Sequence, residues 1–229
     1  PNPSVASAGA DAKICGVTEY TLAAISPVVG TGVWTQTLGP AANFTNPNQY
    51  NTKVTGLQAG TRYEFQWTVT NAPCASSTND KVIVDVLSPI INTIKVDKAI
   101  ICLGESIVLS SDVLSGGDVP GPVSASYSYI WETSPNGINN WQVVLGSAAS
   151  LTLSPTSNIY VRRKVSSYNL CEETSLPIAI TVNPGTPTAN AGSDQKLCNL
   201  TSATLAATNN LGSTFAGRGK WTDVTVGGT

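Results

Sequence analysis

Five cysteines and a complete lack of histidine set the chemical limits of this 229-residue chain. Without an imidazole, a Ser or Cys nucleophile has no ordinary general base. No CxxC spacing is present to build a thiolate metal site. The chemistry left to the cysteines is oxidation to disulfides, which persist in an oxidising compartment. They fall as Cys15 and Cys74, then Cys102 and Cys171, then Cys198 alone. Each of the first two pairs closes a loop that fits inside one domain, so the expectation is two intradomain bridges, Cys15–Cys74 and Cys102–Cys171. Loops of about sixty or seventy residues contribute at most ~4 kcal/mol each in the chain-entropy model. Five reduced thiols in a cytosolic protein is the competing reading.

Other reactive groups are sparse. Glu172-Glu173 is the one compact carboxylate pairing a glycosidase could use, and beside Cys171 it reads more simply as a solvated loop. Gly116-Gly117 is followed by Asp118 and Pro120 with no Lys-Ser/Thr, so it makes a turn rather than a phosphate cradle. Enzymatic activity is therefore not expected. Arg162-Arg163-Lys164 would sit on a strand, where successive side chains point to opposite faces. A solvated outer face is expected there. Asp11 and Asp194 recur at domain starts and could offer calcium a carboxylate, but a calcium ion needs six to eight oxygens. A turn-forming Asp bonded to nearby amides is preferred, and no cofactor is required. Trp141 beside the Asn136-Gly137 turn, together with Tyr168, could contact a glycan. A hairpin Trp packed into its own domain is the plainer reading. Asn43 and Asn199 match the glycosylation pattern, which arises often by chance in so Asn- and Thr-rich a chain.

Composition narrows the partners. Charged residues make up 11% and the net charge is −2, so nothing supplies the basic face that nucleic acid needs. No direct membrane insertion is expected of this segment. A surface built mostly from Thr, Ser, Asn and Gly is common in secreted, multi-domain surface proteins, and the partners expected are neighbouring repeats of the same chain and extracellular surfaces or polysaccharide.

The elements that position these residues come from a repeat. Ala6 to Ala24 recurs without a gap as Ala189 to Ala207, about 183 residues later, matching Gly9 with Gly192, Asp11 with Asp194, Lys13 with Lys196 and Cys15 with Cys198. The second copy runs only to Thr229, so the repeat is expected to continue, and the lack of Met fits a segment of a longer chain. Cys198 is then unpaired by truncation. Tyr63, Phe65, Trp67 and Val69 alternate with polar residues, as do Val82, Val84 and Val86 with Lys81, Ile83 and Asp85, the period-2 signature of strands. Ile107 and Leu109, then Tyr127, Tyr129 and Trp131, then Leu176, Ile178, Ile180 and Val182 supply further inward faces. Trp34 and Trp221 occupy matching repeat positions once a short insertion is allowed, and each is expected to be a core or strand-packing residue. The spacing predicts an all-β chain of antiparallel sandwiches placed end to end, with units at 1–88, 89–184 and 185–229 and proline-containing linkers between them.

The run from Gly30 to Asn71, with its GxWT strand, VTGL strand and GTRYEFQWTVT strand, resembles the PKD-like domains of bacterial surface proteins, and Pro187 to Cys198 is similar to the opening of that domain. Residues 98–182, with CLGESIVL, YIWETSPNGINNW and YVRRKVSSYNLCEETS, resemble the Ig-like repeats stacked in large Bacteroidota adhesins. The resemblance implies a stalk of a giant cell-surface adhesin, exported by the type IX pathway, attached outside a Gram-negative outer membrane and used for attachment or gliding. A polysaccharide-binding accessory module is the alternative. The PKD signature WDFGDG is absent, and Cys102 precedes the Gly104-Glu105-Ser106 turn instead of lying on a central strand.

Overall fold

A computed structural model describes residues 1–73, 76–144, 146–184, 190–196, 198, 202–207 and 220–222. All regular elements among them are β-strands, as the alternation requires. The first sandwich contains β1 (Ala12–Cys15), β2 (Glu19–Thr21), β3 (Thr31–Leu38), β4 (Asn43–Phe44), β5 (Lys53–Thr55), β6 (Thr61–Thr70) and β7 (Ser77–Leu87). One sheet runs β1-β7-β6-β3 and the other β2-β5-β4. The β6 side chains Tyr63, Phe65, Trp67 and Val69 and the β7 side chains Val82, Val84 and Val86 are buried, together with Trp34, Leu22 and Val54. Each such side chain contributes about 1.5–3 kcal/mol on burial. Trp34 and Trp67 meet across β3 and β6 with ring centroids 5.1 Å apart. Near the start of β6 the Tyr63 hydroxyl accepts the Gln58 N–H at 2.9 Å, a tyrosine corner that pins the incoming loop to its strand.

The second sandwich contains β8 (Ile91–Val96), β9 (Ile100–Cys102), β10 (Ile107–Ser115), β11 (Tyr127–Ser134), β12 (Gln142–Val144), β13 (Leu151–Leu153), β14 (Ile159–Ser167), β15 (Cys171–Thr174) and β16 (Ile178–Asn183). Its sheets run β13-β10-β8 and β12-β11-β14-β16-β9, with β15 also paired to β14. Trp131, Ile101, Ile107, Leu109, Val161 and Ile180 form its core, and the Trp131 indole N–H donates to Ala148 O at 3.0 Å. Both sandwiches add a short parallel strand at the edge of the closing strand. β1 lies beside β7 with Cys15 opposite Leu87, and β9 lies beside β16 with Cys102 opposite Asn183.

Three expectations are corrected here. Leu176 is 86% exposed, because it falls between β15 and β16 where Ser175 turns inward instead and donates its N–H to Arg163 O. Trp221 is 51% exposed, in contrast to Trp34, which is buried with its ring centroid 5.1 Å from that of Trp67. Arg163 is fully buried instead of solvated. Strand alternation sends Arg162 and Lys164 outward to Glu132, at 2.7 and 2.9 Å, and drives Arg163 between the sheets. There its guanidinium donates twice to Asn92 Oδ1 (3.0 and 2.7 Å), to Ser111 Oγ (2.6 Å) and to Ala149 O (3.0 Å). Its carbon lies 5.4 Å from the Trp131 ring and 5.5 Å from the Tyr129 ring. These acceptors are neutral, so burial pulls its pKa below the usual value, yet an arginine keeps its proton.

The repeat is visible in backbone geometry. Gly9 has φ +91°, and a side chain there would meet Ala23 O at 2.6 Å; Gly192 has φ +85° and would meet Ala206 O at 2.3 Å. The same close approach recurs at the same spacing, at a positive φ that only glycine takes without strain.

Candidate functional site: the joint between the sandwiches

The cysteine pairing differs from the expected one. Cys15 of β1 is bonded to Cys171 of β15, 156 residues away, with Cα atoms 5.4 Å apart. The bridge links the first sandwich to the second. Cys102 is free and exposed at the end of β9, and Cys198 is also free and exposed. Cys74 lies outside the described residues. Both expected intradomain bridges are thereby replaced. The physical reason lies in the parallel edge strand, which carries Cys15 to the end of β7 and so to the mouth of the linker, where the second sandwich begins.

Around this bridge the joint has a core of its own. Leu87 and Ile90 from the linker ends pack with Val119, Val123, Val165 and Cys171, and Cys15, Leu114, Tyr127 and Tyr129 complete the cluster. Leu87 is fully buried although it ends a strand. Linker residue Ser88 is clamped by the connection between β10 and β11. Its N–H donates to Asp118 O at 2.7 Å, its hydroxyl donates to Asp118 Oδ1 at 2.6 Å, and its carbonyl accepts the Gly117 N–H at 2.8 Å. The backbone passes so close that a side chain on Gly116 would meet Pro89 O at 1.8 Å, and Gly116 has φ +83°. The Tyr127 hydroxyl donates to Gly116 O and the Ser167 hydroxyl to Gly117 O, fastening the clamp to β11 and β14. The Lys13 ammonium lies 5.2 Å from the centre of the Tyr168 ring, a second contact from β1 to the other sandwich.

The expected site residues fall as follows. Tyr168 belongs to the joint, with its hydroxyl donating to Ser124 O. Trp141 is half buried outside the core, its ring covered by the Arg162 guanidinium at 3.9 Å. These two aromatics do not form one surface, because Arg162 lies within β14 and Tyr168 just past its end, roughly 20 Å apart at ~3.3 Å per residue. Asp11 accepts the Ile83 N–H of β7 at 2.8 Å, fixing β1 to its neighbour instead of making a local turn. Asp194 is exposed. Among the described residues no three Asp, Glu or Cys side chains converge on a common point. Glu172 and Glu173 are exposed, and Asn43 is exposed on β4; Asn199 lies outside the described residues. Residues missed from sequence are Ser88, Gly116 to Asp118 and Asn92; the Gly116-Gly117-Asp118 turn was visible as a motif but not as a clasp.

A groove of about 580 Å³ opens at the other end of the first sandwich, lined by Pro27, Gly32, Asn48, Tyr50, Trp67 and Thr70 among others. Among the described residues the Trp67 indole N–H is buried and has no hydrogen-bond partner.

Residues 8–86 match the family described as "K319L-like, PKD domain". The fold is similar to Sidekick-1 immunoglobulin domains 1–4 (13% identity over 81% of this chain and 49% of that one, TM-score 0.50). It is also similar to a three-immunoglobulin-domain fragment of titin (12%, 80% and 67%, TM-score 0.52). A third likeness is to the three N-terminal domains of the highly immunogenic outer capsid protein of bacteriophage RB49 (13%, 79% and 69%, TM-score 0.53). The chain spans about half of the Sidekick-1 fragment. No curated protein matches its sequence. Among the described residues no helix is long and apolar enough to cross a membrane. The chain is a tandem of immunoglobulin-like β-sandwiches, the first of them PKD-like, joined through a disulfide.

Proposed function

We propose that the chain is a load-bearing spacer in a large cell-surface adhesin, holding a binding tip away from an outer membrane during attachment or gliding. The Cys15–Cys171 bridge between sandwiches carries this reading. A catalytic or ligand-gated protein gains little from welding one module to the next, whereas a stalk gains resistance to bending and extension. Tandem PKD-like and immunoglobulin-like modules are structural or adhesive parts, and the disulfide fits the extracellular side of a cell. The joint core and the Ser88 clasp restrict the hinge even before the bridge closes. Small-angle scattering of the chain, oxidised and then reduced, tests this. An elongated envelope that keeps its dimensions in the oxidised form supports the spacer. A pair of sandwiches that hinge freely with Cys15–Cys171 closed overturns it.

The groove beside Trp67 and Tyr50 favours a second reading, a module that binds polysaccharide. Saturable glycan binding abolished by Tyr50→Ala would support it, and no binding across a glycan array would remove it.

A further inference from the structure

Cys102 and Cys15 hold the same place in their sandwiches. Each is the last residue of a short edge strand that runs parallel to the closing strand, and each sits opposite that strand's final residue, Asn183 or Leu87. Directly beyond those residues lie the linkers, opening with Pro184 and Ser88. Cys15 is seen to use this position to reach the next sandwich. Cys102 has the same approach to whatever follows residue 184, and its thiol is exposed and free. Glu105 accepts the Cys102 N–H at 2.8 Å and Asn183 O accepts the Leu103 N–H at 2.8 Å, so its strand end is held in place.

The receiving position is equally specific. Cys171 follows the turn after β14, between the last two long strands of its sandwich. In the first sandwich the sequence between β6 and β7 carries Cys74 at the matching point. The unit that includes Gly192 repeats the first, and the counterpart of position 74 in it lies about 183 residues further along.

From this register we infer that Cys102 forms a disulfide with the cysteine before the closing strand of the module that follows, and that Cys198, the counterpart of Cys15, does the same one module later. The protein is thus a ladder in which each module is bonded to the next. Each bond forms by thiol–disulfide exchange, the two thiols passing two electrons and two protons in all to a disulfide-bearing oxidant of the exporting compartment, whose S–S bond breaks and which leaves as a dithiol. Tension entering at Cys15 passes through sulfur to Cys171 and along the backbone to Cys198. Roughly thirty residues, ~100 Å at full extension, then carry the load in each repeat. The inference rests on the joint being an oxidised link, which the same experiment checks.

Full-length protein recovered from the cell surface, alkylated in denaturant without reduction, digested and analysed by mass spectrometry decides it. The expected result is Cys15 linked to Cys171, and Cys102 linked to a cysteine in the following module with no alkylated Cys102. A Cys102→Ser variant should keep Cys15–Cys171 and release one new alkylatable thiol in that module. Recovery of Cys102 as an alkylated thiol, or linked to Cys74, while Cys15–Cys171 is closed overturns the ladder. If Cys15–Cys171 is itself open in the native protein, the spacer reading and the ladder both fail.

Discussion

Ser88 and Asp118 bind each other across the joint through both backbone and side chain, at 2.7 and 2.6 Å. One residue belongs to the linker and the other to the connection between β10 and β11, so the pair fixes the direction in which the second sandwich leaves the first. Hydrogen bonds to a charged group contribute about 1.5–3 kcal/mol each. In a Cys15→Ser background, Asp118→Ala should broaden the distribution of inter-sandwich orientations, read by residual dipolar couplings, while urea unfolding of each sandwich stays within ~0.5 kcal/mol. Gly116→Ala should broaden it further, because its methyl would fall onto Pro89 O.

Arg163 makes the second sandwich depend on a buried cation. Arg163→Met keeps much of the volume but strands Asn92 Oδ1 and Ala149 O, and about 3 kcal/mol should be lost in denaturant unfolding. Arg163→Lys replaces the planar fork with a point charge and should also destabilise. Adding Asn92→Leu to Arg163→Met should recover only part of the loss. Asn92 also donates to Arg163 O and Glu173 O, which tie β8 to β14 and β15.

Glu132 links pH to the stability of the same sandwich. Burial alone would raise its pKa, but hydrogen bonds from Lys164 and Arg162, with their charges, outweigh burial and hold it below the usual carboxylate range. A depressed folded pKa gives stability that is present above the unfolded value near 4.3 and is lost as pH falls through the folded value. Unfolding free energy should therefore drop below about pH 4. Glu132→Gln should lower the plateau at neutral pH and flatten that drop, as measured by urea titrations across pH 2.5 to 7.

Period-2 alternation made the strands legible, since Tyr63 to Val69 and Val82 to Val86 had one face to bury. Side-chain direction was legible for Arg162 and Lys164 by the same rule, yet the rule equally turned Arg163 inward, and Asn92, 71 residues away in sequence, could not be foreseen as its partner. The cysteine pairing failed for a related reason. Loop length favours near partners only weakly, because closure entropy grows with the logarithm of length. What decided the bond was the parallel placement of β1 beside β7, a topological fact with no local signal. The bond between the Asp11 carboxylate and the Ile83 amide joins residues 72 apart in sequence, so a local turn could not reveal it.

Single-molecule stretching from the two ends tests the central claim most directly. With Cys15–Cys171 closed, the 156-residue span between them is shielded from force. The oxidised chain should show no unfolding step from within that span, and reduction should release about 540 Å of new contour length at 3.3–3.6 Å per residue. Equal contour-length gains with and without reductant would contradict a force path that crosses between the sandwiches through sulfur.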